Sequence, residues 1–188
     1  MDEVHYRYLE LLQATDIDAL LRCARVEYCE PADAGAAKLA PDSIDLVYSN
    51  GVMEHMPKDS IRDLMCESRR ILRPGGLALH NVPCNDHYAH IDSQISFVNC
   101  VRYSESQWRK WNNLLQYQNR LRAPAFLDLA TQAGFAIILK RICVRPGTRE
   151  ALANCQVAPQ FRRFSMEDLA ITTVDFIARK PVSENALH

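Results

Sequence analysis

Glycine is scarce in this sequence. There are six in 188 residues, at Gly35, Gly51, Gly75, Gly76, Gly134 and Gly147, and no pair forms a GxG. That leaves out the glycine-rich phosphate or dinucleotide loop in its usual form. Long apolar runs are also missing. None approaches the ~20 residues of a membrane span. The first residues carry Asp2, Glu3 and Glu10, which is not the basic-then-apolar layout of a signal peptide. Charge of one sign is lacking as well. The formal net charge is -1, so nothing pulls the chain toward nucleic acid or an anionic membrane. The seven cysteines include no CxxC pair, which argues for reduced thiols in a cytoplasmic protein. Neither GxSxG nor HExxH occurs, which weakens a hydrolase reading, metal-dependent or not.

What is present reads as one α/β domain spanning residues 1–188, with enough apolar residues for a single core. Residues 3–13 read as a helix with Val4, Tyr8, Leu11 and Leu12 on one face. Thr15 and Asp18 resemble a capping box for a second helix through Arg22. "RVEYC" reads as a short strand and "IDLVYS" as a buried parallel one. A helix starts at Pro57 or Asp59, with Ile61, Leu64, Met65, Ser68, Ile71 and Leu72 as its apolar stripe and Gly75–Gly76 as its stop. "LALHNV" then completes a βαβ unit over residues 44–82. Residues 83–122 are too long and polar for a plain connection and read as a lid or substrate insertion. Within it, Ser104 and Gln107 cap a helix bearing Trp108, Trp111 and Leu115. A helix over 124–133 and strands "FAIILKRICV" and "ITTVDFIAR" follow, the last antiparallel at the sheet edge.

Several segments in this order carry a resemblance: "DA" at 33–34, "IDLVYSNGVMEHMP", "RRILRPGG", "LATQAGF" and "FIARKP". Together they resemble the class I S-adenosylmethionine-dependent methyltransferases of the type-11 group. "NDHYAH" and "YQNRLR" further look like a narrower bacterial subset, some of which accompany surface-polysaccharide or secondary-metabolite genes. The resemblance implies a Rossmann-like, mostly parallel sheet with an antiparallel last strand. It implies S-adenosyl-L-methionine as cofactor and a small-molecule or saccharide acceptor. The family's opening strand and GxGxG loop have no counterpart here. Roughly sixty residues, about two βα units, are expected to be missing at the N-terminus. Such a truncation leaves an apolar sheet edge open to a homodimer partner.

The resemblance assigns Asp33 and the Ala34 backbone to the adenine, and Ser49, Asn50 and Gly51 to the methionine end of the cofactor. Read alone, Asp33 is a turn residue and Gly51 a bend. His55 is either a wall or base of the methyl-transfer site or a helix-start histidine. Asp86, His87, His90 and Asp92 crowd one loop, where a histidine with a carboxylate partner suits a general base. Metal binding by that loop and a plain polar turn are the other readings, and no metal ligand is assigned. His55, Asp86 and His87 are thus the catalytic candidates. His90, Trp108, Asn119, Arg120 and Arg122 are the acceptor-binding candidates, with core packing and salt bridges as the bland alternatives.

Overall fold

The computed structural model describes residues 3–30, 32–113 and 117–182. It divides into two units, residues 1–33 and 34–188.

The first unit holds α1 (Glu3–Leu12) and α2 (Ile17–Ala24). The cap of α2 is Asp16, not Thr15. Asp16 is extended and its carboxylate accepts from Ala19 N at 2.7 Å, while the Thr15 hydroxyl turns onto Asp16 itself at 3.2 Å. Arg25, in the left-handed region at φ 54, ends the helix. Residues 26–29 form no strand, contrary to the sequence reading. No described strand offers them a ladder, and a short run gains little from extended geometry alone.

The second unit contains β1 (Ile44–Asn50), α3 (Lys58–Ile71), β2 (Leu72–Pro83), α4 (Glu105–Trp108), α5 (Ala123–Gln132), β3 (Ala136–Cys143), α6 (Thr148–Ala153), α7 (Met166–Ala170) and β4 (Thr173–Arg179). The sheet order is β1-β2-β4-β3. β1 and β2 are parallel, and β4 is antiparallel to both β2 and β3. Three strands therefore run one way and β4 alone runs the other. β4 is reversed as expected but internal, and the outer strand is β3. Val174, Phe176 and Ala178 alternate inward from β4, which suits a strand with a neighbour on each side.

α3 ends at Ile71, four residues before Gly75, because Leu72 is already extended at ψ 135 and opens β2. Gly76 is needed for close approach. A Cβ there would stand 2.9 Å from the Arg73 carbonyl oxygen. The stripe Ile61, Leu64, Met65, Ser68 and Ile71 is buried as read from its spacing. It packs with Phe126 and Leu129 of α5 against Ala78, Val82, Val174, Phe176 and Ala178 of the sheet. The opposite sheet face carries Tyr48, Leu79, Leu139 and Ile177 along an open groove of about 480 Å³.

The long 83–122 stretch is not a bare loop. Val98, Val101 and Trp108 join Leu152, Phe161 and Leu169 in a second apolar cluster. The partners come from residues 144–170, whose helices α6 and α7 went unread because each is only about one turn long. The Ser104–Gln107 capping box forms as expected, but α4 stops at Trp108 and Leu115 lies outside the described residues. Among the described residues no helix is long and apolar enough to cross a membrane.

Candidate functional site

β1 and β2 are parallel neighbours in the register Ser49↔His80 and Asn50↔Asn81, so their carboxyl ends open on the same side. In such sheets ligands sit beyond those ends. After β1 comes Gly51, at φ +64, then a 3-10 turn over Met53–His55. After β2 come Cys84, Asn85 and Asp86, then a second 3-10 turn over His87–His90.

A third segment, 117–119, ties these turns together. Asn119 Nδ2 donates to the carbonyls of Met53 and Met56, at 2.7 and 2.8 Å, and Asn119 N donates to the Glu54 carbonyl at 2.8 Å. Gln118 Oε1 accepts from His87 N at 3.2 Å, and its amide donates to the Asn85 carbonyl. One short strip of chain therefore clasps both turns.

The result brings His55 and His87 together, with ring centroids 5.0 Å apart, and places His90 6.0 Å from His87. His55 Nδ1 lies 2.8 Å from the Tyr117 carbonyl. A carbonyl only accepts, so Nδ1 carries the proton and Nε2 of the neutral ring is left with its lone pair. That Nε2 is 3.8 Å from Glu54 Oε1. Burial lifts the Glu54 carboxyl above its ordinary range, with a backbone hydrogen bond and His55 pulling the other way. Burial first, then His55 and His90, pushes His87 down to about 4, which keeps its ring neutral near pH 7. Glu54, His55 and His87 each offer one ligand atom, all within 4.8 Å of one another, and are the described residues able to hold a metal.

Residues 7–80 match the family model described as "Methyltransferase domain". Over that stretch, under half of the chain, the sequence is similar to the methyltransferases of the type-11 group. The fold of the chain is similar to a SAM-dependent methyltransferase of Methanosarcina mazei, with TM-score 0.52, 12% identity and coverage of 89% of this chain and 78% of that one. It is also similar to the 4+2 cyclase SpnF, with TM-score 0.52, 15% identity and coverage of 89% and 63%. A third likeness is to phosphoethanolamine N-methyltransferase 2 of Haemonchus contortus, with TM-score 0.51, 22% identity and coverage of 87% and 40%. A cyclase and two methyltransferases on one fold show that the sheet alone does not fix the reaction. No curated protein matches the chain.

In this fold the expected residues separate into three groups. His55, His87 and His90 meet at the strand ends. Asn50 lies there too, exposed at the end of β1 and with no hydrogen bond on its side chain among the described residues. Ser49 instead points inward, its hydroxyl 2.7 Å from His80 Nδ1. Asp33 closes the first unit, and Ala34 lies in an exposed turn of the second.

A second group holds the site in shape. Asp86 is wholly buried. It accepts from Tyr88 N at 3.0 Å and Asn99 Nδ2 at 3.3 Å, so it caps the His87 turn and is not paired with the His87 ring. Burial lifts its carboxyl above the usual range against those hydrogen bonds. Asn119 is spent on the Met53–Met56 backbone.

The third group is packed into the interior. Trp108 is buried, its Nε1 donating to the Gln118 carbonyl at 3.3 Å. Arg120 lies between Trp108 and Phe161, 5.1 Å from each ring centroid, and reaches the Cys100 carbonyl at 3.0 Å and Glu105 Oε1 at 2.5 Å. Arg122 is fully buried and donates to the carbonyls of Cys84, Leu169 and Ile171. The expected anion clamp of Arg120 and Arg122 is therefore replaced by two guanidiniums that fasten loops to the core.

Glu54 was given no catalytic role by the sequence reading. It is 3% exposed, and its Oε2 has no hydrogen-bond partner. The signal available for a role was its place directly beside His55.

Proposed function

We propose that this chain catalyses S-adenosylmethionine-dependent methyl transfer to a small-molecule or sugar acceptor, at the carboxyl ends of β1 and β2. The observation that carries the reading is the convergence there of Asn50, Gly51, Glu54, His55 and His87 in a chain of which residues 7–80 match the methyltransferase family model. Asn50 fits the polar methionine end of the cofactor, because its amide is exposed and uncommitted. Gly51, without a side chain, keeps that end clear. Ala34, in the same unit, is carried as the adenine side. When bound, S-adenosylmethionine supplies a methyl group already activated by its sulfonium.

The protein's part is alignment and exclusion of water. Neutral His87 accepts a hydrogen bond from an acceptor O–H or N–H and orients it. The Glu54 carboxylate, held in a poorly solvated setting, is placed to take that proton. The polar 83–122 stretch, with His90 exposed on it, forms the acceptor side. Seven free thiols suit a reducing, cytoplasmic setting.

Calorimetry on folded protein tests this reading. S-adenosylhomocysteine should bind one to one, and absence of heat would count against it.

A second reading is a non-catalytic, methyltransferase-like interaction protein. What favours it is the outer edge of β1, which pairs with no described strand, beside the exposed Leu46 and Tyr48. It expects a stable homodimer. A monomer at high concentration in sedimentation would remove it.

A further inference from the structure

Glu54 Oε2 is buried and makes no hydrogen bond among the described residues. A buried carboxylate oxygen left without a partner is costly. No lysine or arginine pairs with Glu54 among the described residues, and its one charged-type contact is His55. Glu54 is therefore not held in a salt bridge to a lysine or arginine, and its other oxygen, Oε1, lies 3.8 Å from His55 Nε2.

The neighbouring donors are prepared for a metal ion. His55 gives its Nδ1 proton to the Tyr117 carbonyl at 2.8 Å, which fixes the tautomer with a free Nε2 lone pair. Such a backbone carbonyl behind the imidazole is the usual support of a metal-bound histidine. One donor atom from each of Glu54, His55 and His87 lies within 4.8 Å of the other two. Metal bonds of about 2.0–2.2 Å at tetrahedral angles separate donors by roughly 3.4 Å, so side-chain rotations of about 1 Å close the set. Asn119 and Gln118 hold the two turns that carry these donors. The His55 side chain is 45% exposed, which leaves a way in from solvent.

We propose that Glu54, His55 and His87 bind one divalent first-row metal ion of the zinc type. Two imidazoles and one carboxylate suit a borderline cation, and three protein ligands leave a position open to water or an acceptor oxygen. The site does not rest on the methyl-transfer reading; it uses the same Glu54 and His87 donor atoms, so with metal bound these two are not free to orient or deprotonate an acceptor.

The test uses the full chain stripped with chelator. Zn²⁺ is titrated by calorimetry, its effect on the melting temperature is recorded, and Co²⁺ is added as a spectroscopic probe. One equivalent of Zn²⁺ should bind and raise the melting temperature. Co²⁺ should show visible bands without thiolate charge transfer. His87→Gln and Glu54→Gln should each weaken Zn²⁺ binding at least about tenfold with unchanged circular dichroism. Cys66→Ser, which removes an exposed thiol, should leave binding unchanged. The proposal is overturned if the wild-type chain binds no stoichiometric Zn²⁺, if the Co²⁺ spectrum is that of a thiolate site, or if His87→Gln binds as tightly as wild type. Should Glu54→Gln fail to fold, the partly exposed His87 still decides the matter.

Discussion

Glu54 and His55 are adjacent in sequence, yet the Glu54 side chain is 4% exposed and the His55 side chain 45%, with Oε1 and Nε2 3.8 Å apart. A 3-10 turn makes this possible by sending one side chain into the core and the next toward solvent. The turn is held from outside by Asn119.

Asn119→Ala removes the amide that serves the Met53 and Met56 carbonyls. Leaving such acceptors unpaired costs about 1–3 kcal/mol. Urea unfolding should show that loss. An unchanged midpoint would mean that the turn holds itself.

Gly51→Ala acts on the same turn from its other end. Gly51 sits at φ +64, and a Cβ would lie 3.4 Å from Glu54 Oε1. The left-handed backbone alone costs an L-residue about 1–2 kcal/mol. The melting temperature should fall accordingly, and Gly51→Asn, which tolerates this region better, should fall less.

Acid should destabilise the fold through His80. Burial pushes His80 down to about 4 from 6.5, with Nδ1 held by Ser49 and Nε2 unpartnered. Below about pH 6.5 the unfolded chain takes up a proton that folded His80 refuses. Stability therefore falls as pH drops from 6.5 to 4, by about 3 kcal/mol in all, and this contribution is flat above and below that window. His87 acts in the same direction. Glu54 and Asp86, whose carboxyls are lifted by burial, oppose both by binding protons more readily in the fold. Melting temperature against pH should decline less steeply in His80→Asn than in wild type. Identical slopes would remove His80 from the account.

Arg122 has no carboxylate partner among the described residues and serves three backbone carbonyls from within the core. Arg122→Ala should cost about 3 kcal/mol or more, because several buried acceptors lose their donors together. Arg122→Lys should not restore it, since one ammonium lacks the fork that spans Cys84, Leu169 and Ile171. Chemical denaturation of both variants measures this.

Much of the second unit was legible from periodicity. The α3 stripe, the Ser104–Gln107 cap and the four strands from 44 to 179 follow from local spacing and capping chemistry. What local sequence could not give was partnership. Residues 26–29 have strand-like composition but no described ladder. The internal place of β4 depends on which strands it meets. Arg120 and Arg122 look like surface cations until the fold buries them on carbonyls. His55 and His87 were readable one at a time. Their meeting depends on Gln118 and Asn119, some thirty residues beyond the second turn and about sixty beyond the first. The burial of Glu54 was not legible either, because a lone acid beside a histidine gives no local sign that the fold will leave it 3% exposed.

The most direct test is nuclear magnetic resonance on isotopically labelled chain titrated with S-adenosylhomocysteine. The account predicts that the amide of Ala34 shifts together with those of Ser49, Asn50 and Gly51, all in the second unit, at one saturating concentration. Shifts confined to one of these two segments, or none in folded protein, would contradict it.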